Sequence, residues 1–141
     1  MTEIDPALLV IYKKSDYRVH DSSCAPFVMH IDEPCESLQA LMRVSGAHSA
    51  CFISAYNPRS EPHTEEENLR AQENLRQDVA GLGLRMLEGV GEDPGGECAG
   101  EPCLLVLGIT RKDTESLGRR YGQNAVLWME ADGIPELMLL R

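Results

Sequence analysis

A chain of 141 residues is long enough for one domain with its own core, and a hydrophobic fraction of 43% removes any need for a metal or a disulfide to drive folding. The formal net charge of −10 excludes sequence-independent binding to nucleic acid, which depends on Lys and Arg neutralising phosphates. Met1–Pro6 is acidic and interrupted by proline, unlike a secretion signal, and no apolar run is long enough to span a bilayer, so a cytoplasmic protein that does not enter a membrane is expected.

The first expected strand is Leu8–Tyr12, with Lys13–Asp16 as a turn and Tyr17–His20 returning as its hairpin partner. Phe27–Ile31 reads as another strand. Asp32-Glu33-Pro34 then opens a helix whose stripe is Leu38, Leu41 and Met42 and whose end is Gly46. Ala50–Tyr56 is an almost continuous apolar run, as in a strand covered on both faces.

Thr64 and Glu67 have the spacing of a capping box, so a helix is expected from there to about Ala80. Its inner stripe is read as Leu69, Leu75, Val79 and Leu82, and Gly81 and Gly83 offer left-handed caps. Leu84–Val90 is a further strand, and the Gly- and acid-rich stretch Gly89–Pro102 a loop. Cys103–Ile109 is a second buried strand. Thr110 and Asp113 cap a short helix carrying Leu117 and Tyr121 and ending at Gly122. Ala125–Glu130 and Glu136–Leu140 flank Ala131-Asp132-Gly133, a hairpin signature. Residues 1–141 are therefore read as a single α+β domain, with one mixed sheet and about three helices packed against it.

Four polar segments lie where chains leave or enter these elements. Tyr56, Asn57 and Ser60 follow the first buried strand. Asn68 sits inside a helix, where its propensity is poor and its presence unexplained by capping. The Gly-rich loop lacks the Lys and Ser/Thr of a phosphate-binding loop, and its carboxylates repel phosphate; Glu101, directly before the buried strand, is the acid there that calls for a role. Gln123 and Asn124 lead into the strand Ala125–Glu130, and adjacent side-chain amides both donate and accept. Tyr56 closes one strand while Asn124 and Glu101 precede others, so these groups share a sheet edge only if the strands run antiparallel.

No two of His20, His30, His48 and His63 share a helix face at metal-ligand spacing, and the five cysteines form no Cys-x-x-Cys pair. No metal site and no cofactor is expected. Cys51 and Cys103 read as buried small hydrophobes, and Cys98 as an exposed loop residue.

The segments Phe52–Ser60, Glu67-Asn68, Glu101–Val106 and Leu117–Ala125 together resemble the bacterial domain-of-unknown-function family numbered 3293, from about Phe52 to the C-terminus. The family pattern has an aromatic residue near position 98 or 99 and a Ser where Cys103 stands. The resemblance implies a small bacterial cytosolic protein of unassigned activity and supplies no mechanism.

Two functional expectations follow. In one, a small nucleotide-like or amide-bearing ligand binds a polar cleft formed by Tyr56, Asn57, Ser60, Asn68, Gln123 and Asn124, with Glu101 as the catalytic acid or base if there is turnover. In the other, the acidic stretch from Glu61 to Glu101 meets a basic protein partner, as in a regulator or adaptor. Whether the protein is an enzyme is left open by the sequence.

Overall fold

Among the described residues seven strands, some alternating apolar and polar and some apolar throughout, form one sheet. The computed structural model describes residues 4–93 and 100–140. In chain order the elements are α1 (Pro6–Lys14), β1 (Asp16–Val19), β2 (Phe27–Met29), α2 (Glu36–Ser45), β3 (Ser49–Ile53), a 3-10 turn (Pro58–Ser60), α3 (Glu65–Gly81), β4 (Arg85–Glu92), β5 (Glu101–Leu107), α4 (Arg111–Arg120), β6 (Ala125–Glu130) and β7 (Glu136–Leu139). The strand order is β2-β1-β4-β5-β3-β6-β7, and each neighbouring pair runs antiparallel.

The α+β class stands, with four α-helices among the described residues and no parallel pair in the sheet. The topology explains why a mixed sheet was expected. β3-α3-β4 and β5-α4-β6 are crossovers between parallel strands, but each crossover skips a place. β5 fills the gap between β3 and β4, and β3 fills the gap between β5 and β6, so every hydrogen-bonded ladder is antiparallel. This is the split β-α-β arrangement, here extended by β1 and β2 at one edge and β7 at the other.

Side-chain alternation divides the core in two. Phe52, Leu87, Cys103, Leu105, Leu127 and Met129 face α2, which contributes Leu38 and Met42. Cys51, Ile53, Leu104, Val106, Val126 and Trp128 face α3 and α4, which contribute Leu75, Val79 and Leu117. β5 is buried on both faces from Cys103 to Leu107, as its continuous apolar run requires.

Four expectations are corrected. Leu8–Tyr12 is part of helix α1, not a strand, so β1 pairs with β2 and β4 instead. A five-residue apolar run has no decisive period, and its N-terminus decides the outcome: the Asp5 carboxylate accepts from Ala7 N at 2.9 Å and Pro6 occupies the first turn. Leu69 and Leu82 are not inner-face residues; they are 55% and 44% exposed. The inner positions of α3 are Asn68, Gln72, Leu75 and Val79, two of them polar. Ser54–Tyr56 leave the ladder while staying buried. Finally, Gly89–Glu92 and Glu101-Pro102 belong to strands. A Cβ on Gly89 would lie 2.6 Å from the Phe52 ring and 2.7 Å from Arg18 O, so the strand needs glycine where the sequence suggested a loop. The middle of that expected loop, and Cys98 with it, lie outside the described residues.

The expected capping box is present, with Thr64 Oγ1 accepting from Glu67 N and Glu67 Oε1 accepting from Thr64 N. Gly46 ends α2 in the left-handed conformation and Thr110 caps α4. Among the described residues no helix is long and apolar enough to cross a membrane. Cys24, Cys35, Cys51 and Cys103 are free thiols, and no cluster of three metal-ligating side chains occurs among the described residues.

Candidate functional site

β3 runs antiparallel to both β5 and β6, so its exit lies at the same sheet edge as their entrances. The segment after Ile53, the carboxylate of Glu101 and the Gln123-Asn124 pair therefore meet at one end of the molecule. On the α2 face α2 covers only the other end, and here α1 lies over the sheet instead. Between α1 and the sheet is a cavity of about 320 Å3. Leu8, Ile11 and Tyr12 line it from α1 and Ser15 from the cap just after it; Tyr17, Phe52, Gly91, Cys103, Leu127 and Leu137 line it from the strands. Its polar wall is made by Asn57, Ser60, Glu101 and Gln123, with Ser54, Glu92 and Asp93.

The turn that presents Asn57 and Ser60 is conformationally costly. Asn57, Arg59 and Ser60 have φ of 43°, 60° and 60°, which for residues with a Cβ costs on the order of 1–3 kcal/mol each. Surrounding hydrogen bonds hold it. Asn68 Oδ1 accepts from Asn57 N, and Asn68 Nδ2 donates to Asn57 Oδ1, both at 2.9 Å. Arg59 N donates to Gly122 O at 2.7 Å, and Asn124 Nδ2 donates to Ser60 Oγ at 3.1 Å. Gln123 Nε2 donates to Tyr56 O and Tyr121 O, each at 3.2 Å. Gln72, 1% exposed, accepts from Ala55 N through Oε1 and donates to Pro102 O through Nε2, while Ser54 Oγ bridges Pro102 O and Tyr56 N.

The residues nominated from sequence thus separate into two groups. Asn57, Ser60, Gln123 and Glu101 share the cavity wall. Tyr56, Asn68 and Asn124 are not on it: Asn68 and Asn124 hold the turn from behind, and buried Tyr56 turns its hydroxyl to Glu65. Sequence reasoning missed Gln72, Ser54, Asp93 and the whole contribution of α1. Gln72 had a signal, since it stands three residues before Leu75 on the helix face that Val79 continues.

The wall retains unused hydrogen-bonding capacity. Gln123 must aim its NH2 at two carbonyls, which leaves Oε1 without a partner among the described residues. Asn57 Oδ1 accepts from Asn68 Nδ2 and His63 N, which leaves its Nδ2 without one. The Glu101 carboxylate has no hydrogen bond or ion pair among the described residues, and burial pushes its carboxyl up from 4.5 to about 7. Beside it, burial also raises the thiol of Cys103 and the phenol of Tyr17, so both stay protonated. The Tyr17 hydroxyl donates to Tyr12 O and ties β1 to the last turn of α1.

A split β-α-β sheet with a half-polar cavity under an extra N-terminal helix is the class that fold and site define. The chain belongs to the family described as "Protein of unknown function (DUF3293)", which matches residues 53–126. That span starts at the end of β3 and includes the strained turn, α3, Glu101 and Gln123, but not α1, β1 or β2. No curated protein and no solved structure matches the chain.

Proposed function

We propose that the cavity under α1 binds a small molecule through an amide-like or nucleobase-like edge, and that Glu101 exchanges a proton with it if the ligand is turned over. The observation that carries this reading is the pairing of a donor, Asn57 Nδ2, with an acceptor, Gln123 Oε1, neither with a partner among the described residues, on one wall of a half-open cavity of ligand size. The strained turn adds support, because backbone strain held by a dedicated hydrogen-bond network is characteristic of sites whose side chains must be placed. A carboxyl titrating near neutrality in the same cavity suits acid–base work.

The reading that the acidic helix docks a basic protein is less well supported. Glu66, Glu73 and Asp78 of α3 are each engaged by an arginine of this chain, Arg70, Arg76 and Arg120.

The test is a thermal-shift screen of nucleosides and amino-acid amides against wild type, Gln123→Ala and Gly91→Leu. A Cβ on Gly91 meets nothing closer than 3.8 Å, so a side chain can start there, and the leucine is expected to occupy part of the cavity that Gly91 lines. A ligand at this site stabilises wild type in proportion to its occupancy and loses its effect in both variants. A ligand that stabilises all three equally binds elsewhere and defeats the reading.

A further inference from the structure

The cavity has an uneven charge. Its described lining includes three carboxylates, Glu92, Asp93 and Glu101, and no Lys, Arg or His. Glu92 is already neutralised, because Arg18 Nε lies 3.0 Å from its Oε1. The other two carboxylates are not. Asp93 Oδ1 is buried and has no hydrogen-bond partner among the described residues. The Glu101 carboxylate likewise has neither a hydrogen bond nor an ion pair among the described residues, and its burial already disfavours the charged form.

These two acids line the same cavity. Gly91 is opposite Glu101 in the ladder, and residues 87, 89 and 91 of β4 share their face with 101, 103 and 105 of β5. Asp93, one residue past the end of β4, lines the same cavity. Removing an ionised carboxylate from water without a partner costs several kcal/mol, and an opposite charge within about 4–6 Å offsets that cost.

Resting on the cavity reading above, we propose that the occupant is cationic: a small molecule whose protonated amine or amidine sits between Asp93 and Glu101, with its amide-like edge at Asn57 and Gln123 and its apolar body on Phe52 and Leu127. An ammonium brings up to three donors, which match the unused acceptor atoms of two carboxylates. A phosphorylated ligand is disfavoured because no cation on the lining would meet it. A divalent metal fits less well than an amine, since no three ligating side chains gather among the described residues.

The experiment is a charge ladder measured by calorimetry and thermal shift near neutral pH. The probes are L-leucinamide and 6-aminohexanamide, whose amines lie near to and far from the amide, and their neutral N-acetyl derivatives. The proteins are wild type, Asp93→Asn, Glu101→Gln and Gln123→Ala. The two isosteric changes remove charge from unpaired acids, so the fold is expected to survive them.

At least one amine should bind wild type, and its N-acetyl form should bind about tenfold more weakly or worse. Asp93→Asn and Glu101→Gln should each weaken the amine by a similar factor and leave the N-acetyl compound unaffected. The proposal is overturned if the N-acetyl form binds as well as its parent, or if both charge-removing variants bind the amine like wild type. Equal binding of both forms, abolished by Gln123→Ala, keeps the cavity reading and removes only the charge assignment. If no probe binds any of the proteins, the cationic assignment falls, and the nucleoside arm of the earlier screen decides the cavity reading alone.

Discussion

Asn57 and Asn68 hold each other through two hydrogen bonds of 2.9 Å, one to the backbone N–H of Asn57 and one to its side-chain oxygen. The pair fixes a residue at φ 43° from a helix eleven positions further along the chain. Asn68 is buried, so truncating it strands polar groups of Asn57 that water cannot readily reach. Asn68→Ala should therefore cost about 2–3 kcal/mol in denaturant unfolding, at the upper end for a lost buried partner. It should also release the turn, so that any ligand dependent on Asn57 binds more weakly. A loss below about 0.5 kcal/mol would mean that the turn is held without Asn68.

Gly89 and Gly91 are two residues apart on the same strand face but meet different surroundings. A methyl at Gly89 collides with the Phe52 ring and with Arg18 O, and the second of these is backbone of a paired strand that has no room to retreat. A methyl at Gly91 makes only ordinary contacts with Cys103 and Tyr17. Gly89→Ala should destabilise by about 2–3 kcal/mol, and Gly91→Ala should stay within about 0.5 kcal/mol of wild type. Equal effects in chemical denaturation would contradict the tight approach of Phe52 to β4.

Much of the frame was legible because it depends on local chemistry. The Thr64–Glu67 box, the Thr110 cap, the apolar run of β5 and the Asp132-Gly133 turn each carry their instructions within a few residues. What escaped depends on distant partners. Leu69 and Leu82 are apolar yet exposed, and Asn68 and Gln72 are polar yet buried, because the inner face of α3 meets the unpaired backbone of Ala55, Asn57 and Pro102. An apolar-period search passes over such positions. The same holds for Leu8–Tyr12, where one side-chain cap at Asp5 outweighs strand-like composition. Of the candidate site, Asn57, Ser60, Glu101 and Gln123 were accessible as polar residues at the ends of buried strands. Their shared wall was not, since it depends on β3 lying between β5 and β6.

Glu101 makes stability depend on pH in a direction that can be worked out. Its carboxyl titrates near 4.5 when exposed and is pushed up to about 7 in the fold by burial. Below the lower value both states are protonated and Glu101 carries no penalty. Between the two values the unfolded chain ionises while the fold keeps its proton, so stability falls as pH rises from about 4.5 and the loss is complete once pH has passed through about 7. At about 1.4 kcal/mol per pH unit, the interval corresponds to at most about 3.5 kcal/mol. Glu101→Gln should thus be more stable than wild type at pH 8, by up to several degrees in Tm, and the difference should vanish near pH 4. A variant less stable than wild type at pH 8 would show that the ionised carboxylate has a stabilising partner.

Helix α1 closes the cavity but is weakly held. None of its residues is buried, and Val10 and Ile11 are 51% and 42% exposed. A helix of nine residues has little stability of its own in water. Its anchors are the Tyr17 hydroxyl on Tyr12 O, a 3.4 Å contact between the Tyr12 and Ser60 hydroxyls, and the side chains that line the cavity. The amides of α1 should therefore exchange with solvent through local opening, at a cost of about 1–2 kcal/mol, while those of β5 await global unfolding. A bound molecule fills the space beneath α1 and adds contacts to Leu8, Ile11 and Tyr12, so saturating ligand should slow exchange in α1 far more than in β5. Tyr17→Phe removes the anchor on Tyr12 O and should speed α1 exchange with little change in β5. Hydrogen exchange read by mass spectrometry separates these segments. Protection of α1 equal to that of β5 in the free protein would show a fixed wall, and ligand would then have to enter from the side where Asp93 and Glu101 lie.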